Sequence, residues 1–180
     1  MAGPIAFLHL WPDVRSYQVA GSANGWKPAF HVAHVGKKAL AEKAGWLLRL
    51  ADSCGAHFFF RPERPRAILV DLGDYEDAHL PAIKGLRPRR IVRKSENKRR
   101  AWFRAPRLTD AQRSVVRKDF ASALLGDSAS TGAYLCGRAP GSRNPKDGYE
   151  VGLAYAAPGA ESSWALLKAQ RPKLLARTPE

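Results

Sequence analysis

The chain has 180 residues, of which 45% are hydrophobic and 26% charged, and its formal net charge is +14 at pH 7. This length suits one domain with its own core, and the hydrophobic fraction excludes an intrinsically disordered chain. No apolar run is long enough to span a membrane, and the excess of positive charge favours a polyanionic partner. We therefore expect a single domain over residues 1–180 whose extreme C-terminus is frayed.

Strand and helix patterns alternate in the first half of the chain. Strands are predicted at 16–21 and 29–35, separated by a turn at Asn24-Gly25. A helix is predicted at 37–53, because apolar residues recur at helical spacing until Gly55. Further strands are predicted at 56–61 and 67–71, and a short helix at 76–84.

The second half continues this alternation and defines the fold class. Strands are predicted at 89–94 and 100–104, followed by a helix between Thr109 and Gly126. A strand near 149–155 and a C-terminal helix from Ser162 complete the order. This order predicts an α+β domain in which helices pack on a small, mainly antiparallel sheet.

Most of the positive charge lies between residues 84 and 107, where eleven Lys or Arg accompany one acid, Glu96. The segment lacks the amphipathic helix that membrane binding needs, so nucleic acid is the favoured partner and a membrane is not expected. A basic surface without a specific partner is the alternative. Bases stack on aromatic rings and cations neutralise phosphates in single-strand binding. The residues expected to contact DNA are Arg89, Arg90, Arg93, Lys94, Lys98, Arg99, Arg100, Trp102 and Arg104.

Three acids are candidates for a metal site. Asp71 ends an apolar strand, Asp74 follows three residues later, and Asp127 follows the predicted helix that begins at Thr109. Nucleotidyl transfer uses divalent metals, and carboxylates from different elements are the hard oxygen ligands that Mg²⁺ prefers. The alternative is that these acids only cap turns, which is common for Asp.

The polar loop 137–148, with the sequence GRAPGSRNPKDG, is a candidate phosphate site. Arg138, Lys146 and the backbone amides of Gly141 and Ser142 have the chemistry of anion-binding loops. The spacing is not that of a P-loop, and an ordinary surface loop is the alternative.

Five motifs in this order resemble the catalytic domain of the RepB-type DNA primases of plasmids and phages. They are Phe58-Phe59-Phe60-Arg61-Pro62; Leu69-Val70-Asp71; Val92 through Ser95-Glu96-Asn97 to Ala101-Trp102; Leu125-Gly126-Asp127; and Gly137-Arg138 through Pro140-Gly141 and Asn144 to Lys146. The resemblance covers about residues 17–155.

The resemblance implies an archaeo-eukaryotic-primase-like (RRM-like) core that makes short primers on single-stranded DNA from nucleoside triphosphates, in plasmid or phage replication and with other replication proteins. It implies that Asp71, Asp74 and Asp127 are catalytic and bind Mg²⁺ or Mn²⁺. Leu72 stands where the family has a second, adjacent Asp, so Asp74 is the expected substitute. The residues implied around the nucleotide or template are Arg61, Ser95, Asn97, Arg138, Asn144 and Lys146.

Two other functions remain open. The first is a non-catalytic replication or mobilisation module that binds single-stranded DNA on the same fold, suggested by Leu72. The second is a metal-dependent nuclease that uses the same acids. Cys54 and Cys136 lack metal-ligand spacing, so we expect buried free thiols in a reducing cytoplasm, with a disulfide as the alternative.

Overall fold

The structure is a computed structural model that describes residues 8, 14–23, 30–63, 67–74, 80–104, 110–124 and 137–157. Within these ranges the helices are α1 (Lys37–Ser53), α2 (Leu80–Gly85) and α3 (Asp110–Ala123). The strands are β1 (Ser16–Ser22), β2 (Phe30–Gly36), β3 (His57–Pro62), β4 (Ala67–Asp74), β5 (Arg90–Arg93), β6 (Lys98–Arg104), β7 (Gly137–Arg138) and β8 (Gly152–Ala156). The predicted turn at Asn24-Gly25, the predicted C-terminal helix, the frayed end and Asp127 lie outside the described residues.

The first sheet contains β2, β1, β3 and β7 in that order, and every neighbouring pair is antiparallel. The helix α1 that follows β2 has the predicted bounds, because its apolar spacing and the Gly55 stop are both strong signals. The short strand β7 was not predicted, since two residues carry no alternation of apolar and polar side chains.

The second sheet contains β4, β6, β5 and β8 in that order, again antiparallel throughout. The α+β class with antiparallel strands and packed helices is confirmed, but the strands form two sheets where the sequence predicted one. Alternation along a strand indicates which side chains share a face and does not indicate which strand pairs with which.

Two hydrophobic cores hold these sheets in place. One face of the second sheet packs its apolar side chains, Leu72 and Phe103 among them, against α2 and α3. The ring of Phe103 stacks on Phe120 of α3 with 4.3 Å between the ring centroids. The other face of that sheet packs Leu69 and Trp102 together with Phe60 of the first sheet. The second core therefore joins the two sheets.

Trp102 lies in the core between the two sheets and is 1% exposed. A Cβ atom on Gly137 would lie 2.5 Å from its ring, so only glycine lets β7 approach this closely. The buried guanidinium of Arg90 lies 4.5 Å from the centre of the ring. The expectation that Trp102 stacks on a DNA base is therefore wrong, because its ring faces are taken up by packing inside the protein.

Two further expectations concern the surface. Cys54 follows the last residue of α1 and is an exposed free thiol, so the expected burial is wrong at this position. The end of α1 faces solvent here, and Cys136 lies outside the described residues. None of the helices in the described ranges is long and apolar enough to cross a membrane.

Candidate functional site

Asp71 of β4 is a buried carboxylate held by two cations. The Lys94 ammonium donates to Asp71 Oδ1 at 2.6 Å, and Arg100 Nε donates to Oδ2 at 3.0 Å. Burial alone would raise the pKa of Asp71, but Arg100 and Lys94 outweigh it and lower the pKa below its usual value. Asp71 is therefore ionised at neutral pH, and both of its oxygens are engaged.

Strand register explains why these three side chains meet. Asp71 lies opposite Arg100 of β6, and Arg100 lies opposite Val92 of β5. Lys94 follows Val92 by two residues, and residues two apart on an extended chain lie on the same face. Side chains from β6 and from the end of β5 thus meet the Asp71 carboxylate of β4 on one face of the sheet.

A β-bulge in β4 decides where the second acid falls. Asp71 pairs with Arg100 and Asp74 pairs with Lys98, so three steps along β4 match two steps along β6. The extra residue brings position 74 to the same face of the sheet as position 71, whereas three steps along a regular strand would change the face. Leu72 is 1% exposed and belongs to the core against α2 and α3. The register therefore puts position 74, and not position 72, on the face of the sheet that carries Asp71.

The first sheet contributes Arg138 and His57 to the same place. Arg138 Nη1 donates to the Lys94 carbonyl oxygen at 3.3 Å. Burial, and then the charge of Arg100, lower the pKa of Arg138 to about 10. Burial, followed by the charge of Arg138, lowers the pKa of His57 to about 4. We call these five residues, Asp71, Lys94, Arg100, Arg138 and His57, the Asp71 cluster.

The Asp71 cluster carries an excess of positive charge. Burial and Arg100 lower the pKa of Lys94 to about 8, although Asp71 opposes them. Burial is the largest cause of this lowering of the Lys94 pKa, and the charges of Arg100 and Arg138 add to it, so Lys94 lies among other cations. Such a region attracts polyanions, and phosphate groups match its guanidinium and ammonium donors.

The lowered pKa of the buried His57 can be tested through the stability of the protein in acid. Its imidazole is 2% exposed and its pKa is lowered to about 4, with Asp147 alone raising it among the neighbouring charges. An unfolded histidine titrates near pH 6.5, so the unfolded chain binds the additional proton as the pH falls from 6.5 towards 4. His57 thus contributes stability above pH 6.5 that is lost on acidification, about 3 kcal/mol between pH 7.5 and pH 4.

Urea unfolding of the wild type and His57→Gln at these two pH values measures that contribution. We expect the variant to lose about 3 kcal/mol less of its unfolding free energy on acidification, because glutamine does not titrate. An equal loss in both proteins would contradict the lowered pKa of His57.

Ser95 and Asn97, which the sequence placed near the nucleotide, lie together in the turn between β5 and β6. The turn is closed by the backbone amide of Lys94, which donates to the Lys98 carbonyl oxygen at 2.8 Å. It borders an open cleft of about 310 Å³ whose lining residues are Ser95, Glu96, Asn97, Lys98, Asp147 and Tyr149. The cleft therefore adjoins the Asp71 cluster through Lys94.

The loop 137–148 is organised by its own hydrogen bonds. The Gly141 amide donates to the Val151 carbonyl oxygen at 2.7 Å, and the Ser142 amide donates to the Ala139 carbonyl oxygen at 3.1 Å. These two amides already donate to backbone carbonyl oxygens, so the expectation that they bind phosphate is wrong. Asn144 is buried.

The side chain of Asn144 explains how the loop holds its shape. Its Nδ2 donates to Asp147 Oδ2 at 2.8 Å, and its Oδ1 accepts from the Lys146 amide at 3.3 Å. Asn144 therefore shapes the turn that presents Lys146, whose side chain is exposed. The charge of Lys146 also lowers the pKa of His57, so this side chain lies near the Asp71 cluster.

Arg61 lies on β3 with its Nη2 donating to Gln18 Oε1 at 2.7 Å. His57, Phe59 and Arg61 alternate with the core residues of the strand, so the three lie on the face opposite to the core. His57 was not among the site residues predicted from the sequence. Its even spacing from Arg61 was the signal that could have placed it at the site.

The basic segment divides into buried and accessible cations. Arg89, Arg90 and Arg99 are 2%, 0% and 3% exposed, so the expectation that they contact DNA is wrong. The strands β5 and β6 are the inner strands of their sheet, and Arg90 and Arg99 are buried on them. Among the expected DNA contacts, Lys98 is exposed, and Arg93, Lys94, Arg100 and Arg104 are partly exposed.

The structure describes the side chain of one of the three predicted metal ligands, Asp71. The part of the chain that the structure describes contains no group of three His, Cys, Asp or Glu side chains able to hold a metal ion. Both oxygens of Asp71 are already bound to Lys94 and Arg100. The side chain of Asp74 and the whole of Asp127 lie outside the description.

The two sheets, the helices and their order define the fold of the primase catalytic domains. The catalytic domain of primase RepB′, solved in complex with initiator DNA, superposes with a TM-score of 0.75 at 22% identity and covers 98% of this chain and 97% of that chain. A second structure of primase RepB′ gives a TM-score of 0.75 at 18% identity, over 96% of this chain and 64% of that chain. The AEP domain of the primase-polymerase of cyanophage S-2L gives a TM-score of 0.63 at 12% identity, and the match covers 96% of this chain and 95% of that chain.

No protein-family model and no curated protein sequence matches the chain. At identities this low, the structural comparisons establish the fold, and the predicted primase-like fold is confirmed. The function has to be argued from the site itself.

Proposed function

We propose that this protein is a primase, a nucleotidyltransferase that makes short primers from nucleoside triphosphates on single-stranded DNA during plasmid or phage replication. The proposal is supported by the fold and by the ordered motifs. A cytoplasmic location and contacts with other replication proteins follow from that role.

The observation that carries the proposal is the Asp71 cluster. An ionised carboxylate lies among cations whose pKa values are lowered by burial and mutual repulsion. A triphosphate would relieve that repulsion, and Arg138 and Lys146 are the cations proposed to neutralise it. A carboxylate beside a triphosphate is the arrangement that phosphoryl and nucleotidyl transfer enzymes use.

The cleft beside the Asp71 cluster is proposed to receive the rest of the nucleotide. Ser95 and Asn97 offer a hydroxyl and an amide at its edge, and Tyr149 offers an aromatic ring. These groups suit a sugar and a base, which need hydrogen-bond partners and a stacking surface. Arg61 and Asn144 are proposed to support the site, the second by shaping the loop that carries Lys146.

Primer synthesis from labelled nucleotides on single-stranded templates tests the proposal, with Mg²⁺ and Mn²⁺ compared against a chelator. We expect short products on single strands that disappear with the chelator, because Asp71, Asp74 and Asp127 are proposed to act with a divalent ion. Absence of product with either metal, by protein that still binds DNA, would contradict the proposal. Cleavage of labelled DNA in the same reactions would indicate the nuclease instead.

A second candidate is a non-catalytic module that binds single-stranded DNA. It is favoured by one observation, namely that Lys94 and Arg100 engage both oxygens of Asp71. This candidate predicts DNA binding that is unaffected by Asp71→Asn and by added Mg²⁺. DNA binding that requires both the Asp71 carboxylate and Mg²⁺ would exclude this candidate.

Two neighbouring residues separate surface binding of DNA from a structural role. Lys98 is exposed, whereas Arg99 is 3% exposed. We expect Lys98→Gln to reduce the slope of log affinity against log salt by roughly 0.7, the value for one phosphate contact on a single strand. Arg99→Gln is expected to leave this slope unchanged and to lower the unfolding free energy instead.

Fluorescence anisotropy with a labelled oligonucleotide at several salt concentrations measures these slopes, and urea unfolding measures stability. A slope reduced by Arg99→Gln and unchanged by Lys98→Gln would contradict the assignment of the accessible cations.

A further inference from the structure

We propose that the Lys94 ammonium occupies the cation position on Asp71, so that a divalent ion binds this carboxylate only after displacing Lys94. The inference rests on the proposed function, in which Asp71 is a metal ligand. It assigns to Lys94 a role different from the DNA contact expected from the sequence.

The geometry places the ammonium between the two oxygens of one carboxylate. Lys94 Nζ lies 2.6 Å from Asp71 Oδ1 and 2.5 Å from Oδ2. A cation that contacts both oxygens lies where a metal ion bound in a bidentate manner would lie. Two cations cannot share this position, so occupancy by Lys94 and by a divalent ion exclude each other.

Hydrogen bonds to both of its main-chain polar groups hold the backbone of Lys94 in place. Its amide donates to the Lys98 carbonyl oxygen at 2.8 Å, and its own carbonyl oxygen accepts from Arg138 at 3.3 Å. The side chains of Lys94 and Asp71 are 13% and 7% exposed. A buried ammonium that faces a carboxylate at this distance is held more strongly than a surface pair.

The positive charge around Asp71 also opposes binding of a divalent ion while Lys94 remains in place. Arg100 Nη2 lies 2.9 Å from Asp71 Oδ2, and Arg138 lies against Lys94. A divalent ion that arrived while Lys94 remained would add two positive charges beside three cations with one carboxylate among them. Removal of the Lys94 charge therefore favours binding of a divalent ion to Asp71 for two reasons. It vacates the position on the carboxylate, and it lowers the electrostatic repulsion around it.

Titration of the 180-residue protein with Mn²⁺, without nucleotide, tests the inference through binding and not through catalysis. Free Mn²⁺ is followed by electron paramagnetic resonance. The variants are Lys94→Met, which removes the charge, Lys94→Arg, which keeps it, and Lys43→Met, which removes an exposed lysine of α1. Lys94→Gln serves if Lys94→Met does not fold.

We expect Lys94→Met to bind Mn²⁺ at least tenfold more tightly than the wild type, with Lys94→Arg and Lys43→Met within threefold of it. Asp71→Asn added to Lys94→Met is expected to restore weak binding, because the ion would sit on Asp71. The inference is overturned if Lys94→Met is no tighter than the wild type, or if Lys43→Met gains as much. Primer synthesis by the wild type decides the proposed function independently of these affinities.

Discussion

Replacement of Asp71 by Asn is expected to lower the rate of primer synthesis by about a thousandfold, which corresponds to about 4 kcal/mol of lost transition-state stabilisation. Asparagine keeps the shape of the side chain and removes the charge that organises the Asp71 cluster. The measurement is the initial rate of primer formation at saturating nucleotide.

The same substitution leaves Lys94 and Arg100 without their carboxylate, which costs about 3 kcal/mol of unfolding free energy for buried partners. Rates are therefore compared at temperatures where thermal unfolding shows that both proteins are folded. Asp52→Asn is the matched control, since it makes the same chemical change at an exposed position of α1. A folded Asp71→Asn protein that keeps more than a tenth of the wild-type rate would contradict a catalytic role.

Replacement of Leu72 by Asp, which creates the adjacent pair of acids that the RepB-type primases have, is predicted to destabilise the fold by about 4 kcal/mol or more. Leu72 is 1% exposed and packs in the core against α2 and α3. A carboxylate there would be taken out of water without a partner, which costs several kcal/mol. Chemical unfolding by urea measures the loss.

Leu72→Met is the matched control, because a swap of similar volume in a core usually costs less than about 1.5 kcal/mol. We expect no gain in primer synthesis from Leu72→Asp. A stable Leu72→Asp protein with increased activity would show that the bulge does not set the position of the second acid.

Strong local signals made much of the fold predictable. The helix α1 was predicted with its observed bounds because apolar spacing and a glycine stop agreed. The strands β1, β3 and β5 lie within one residue of their predicted ends. The division into two sheets was not predictable, because hydrogen-bond partners of strands are set by long-range packing.

The site was predictable in part, for reasons that differ between residues. Asp71 was found from its place at the end of an apolar strand, and the structure brings it next to Lys94, Arg100 and Arg138. The bulge that puts position 74 on the same face of β4 as Asp71 could not be predicted from the sequence, since a bulge is defined by the pairing with the partner strand.

Burial explains the wrong expectations in the basic segment. Arg90 and Trp102 were assigned to DNA on composition, yet they pack on each other in the interior. Charge density along a sequence does not distinguish a cation that faces solvent from one that lies between two layers.

Binding of a non-hydrolysable nucleoside triphosphate, measured by calorimetry with Mg²⁺ present, tests most directly whether the Asp71 cluster is a nucleotide site. We expect one site per chain, with affinity reduced at least tenfold by Arg138→Gln and unchanged by Arg49→Gln, an exposed arginine of α1. Absence of binding by the folded wild type, or equal affinity of the wild type and Arg138→Gln, would contradict it.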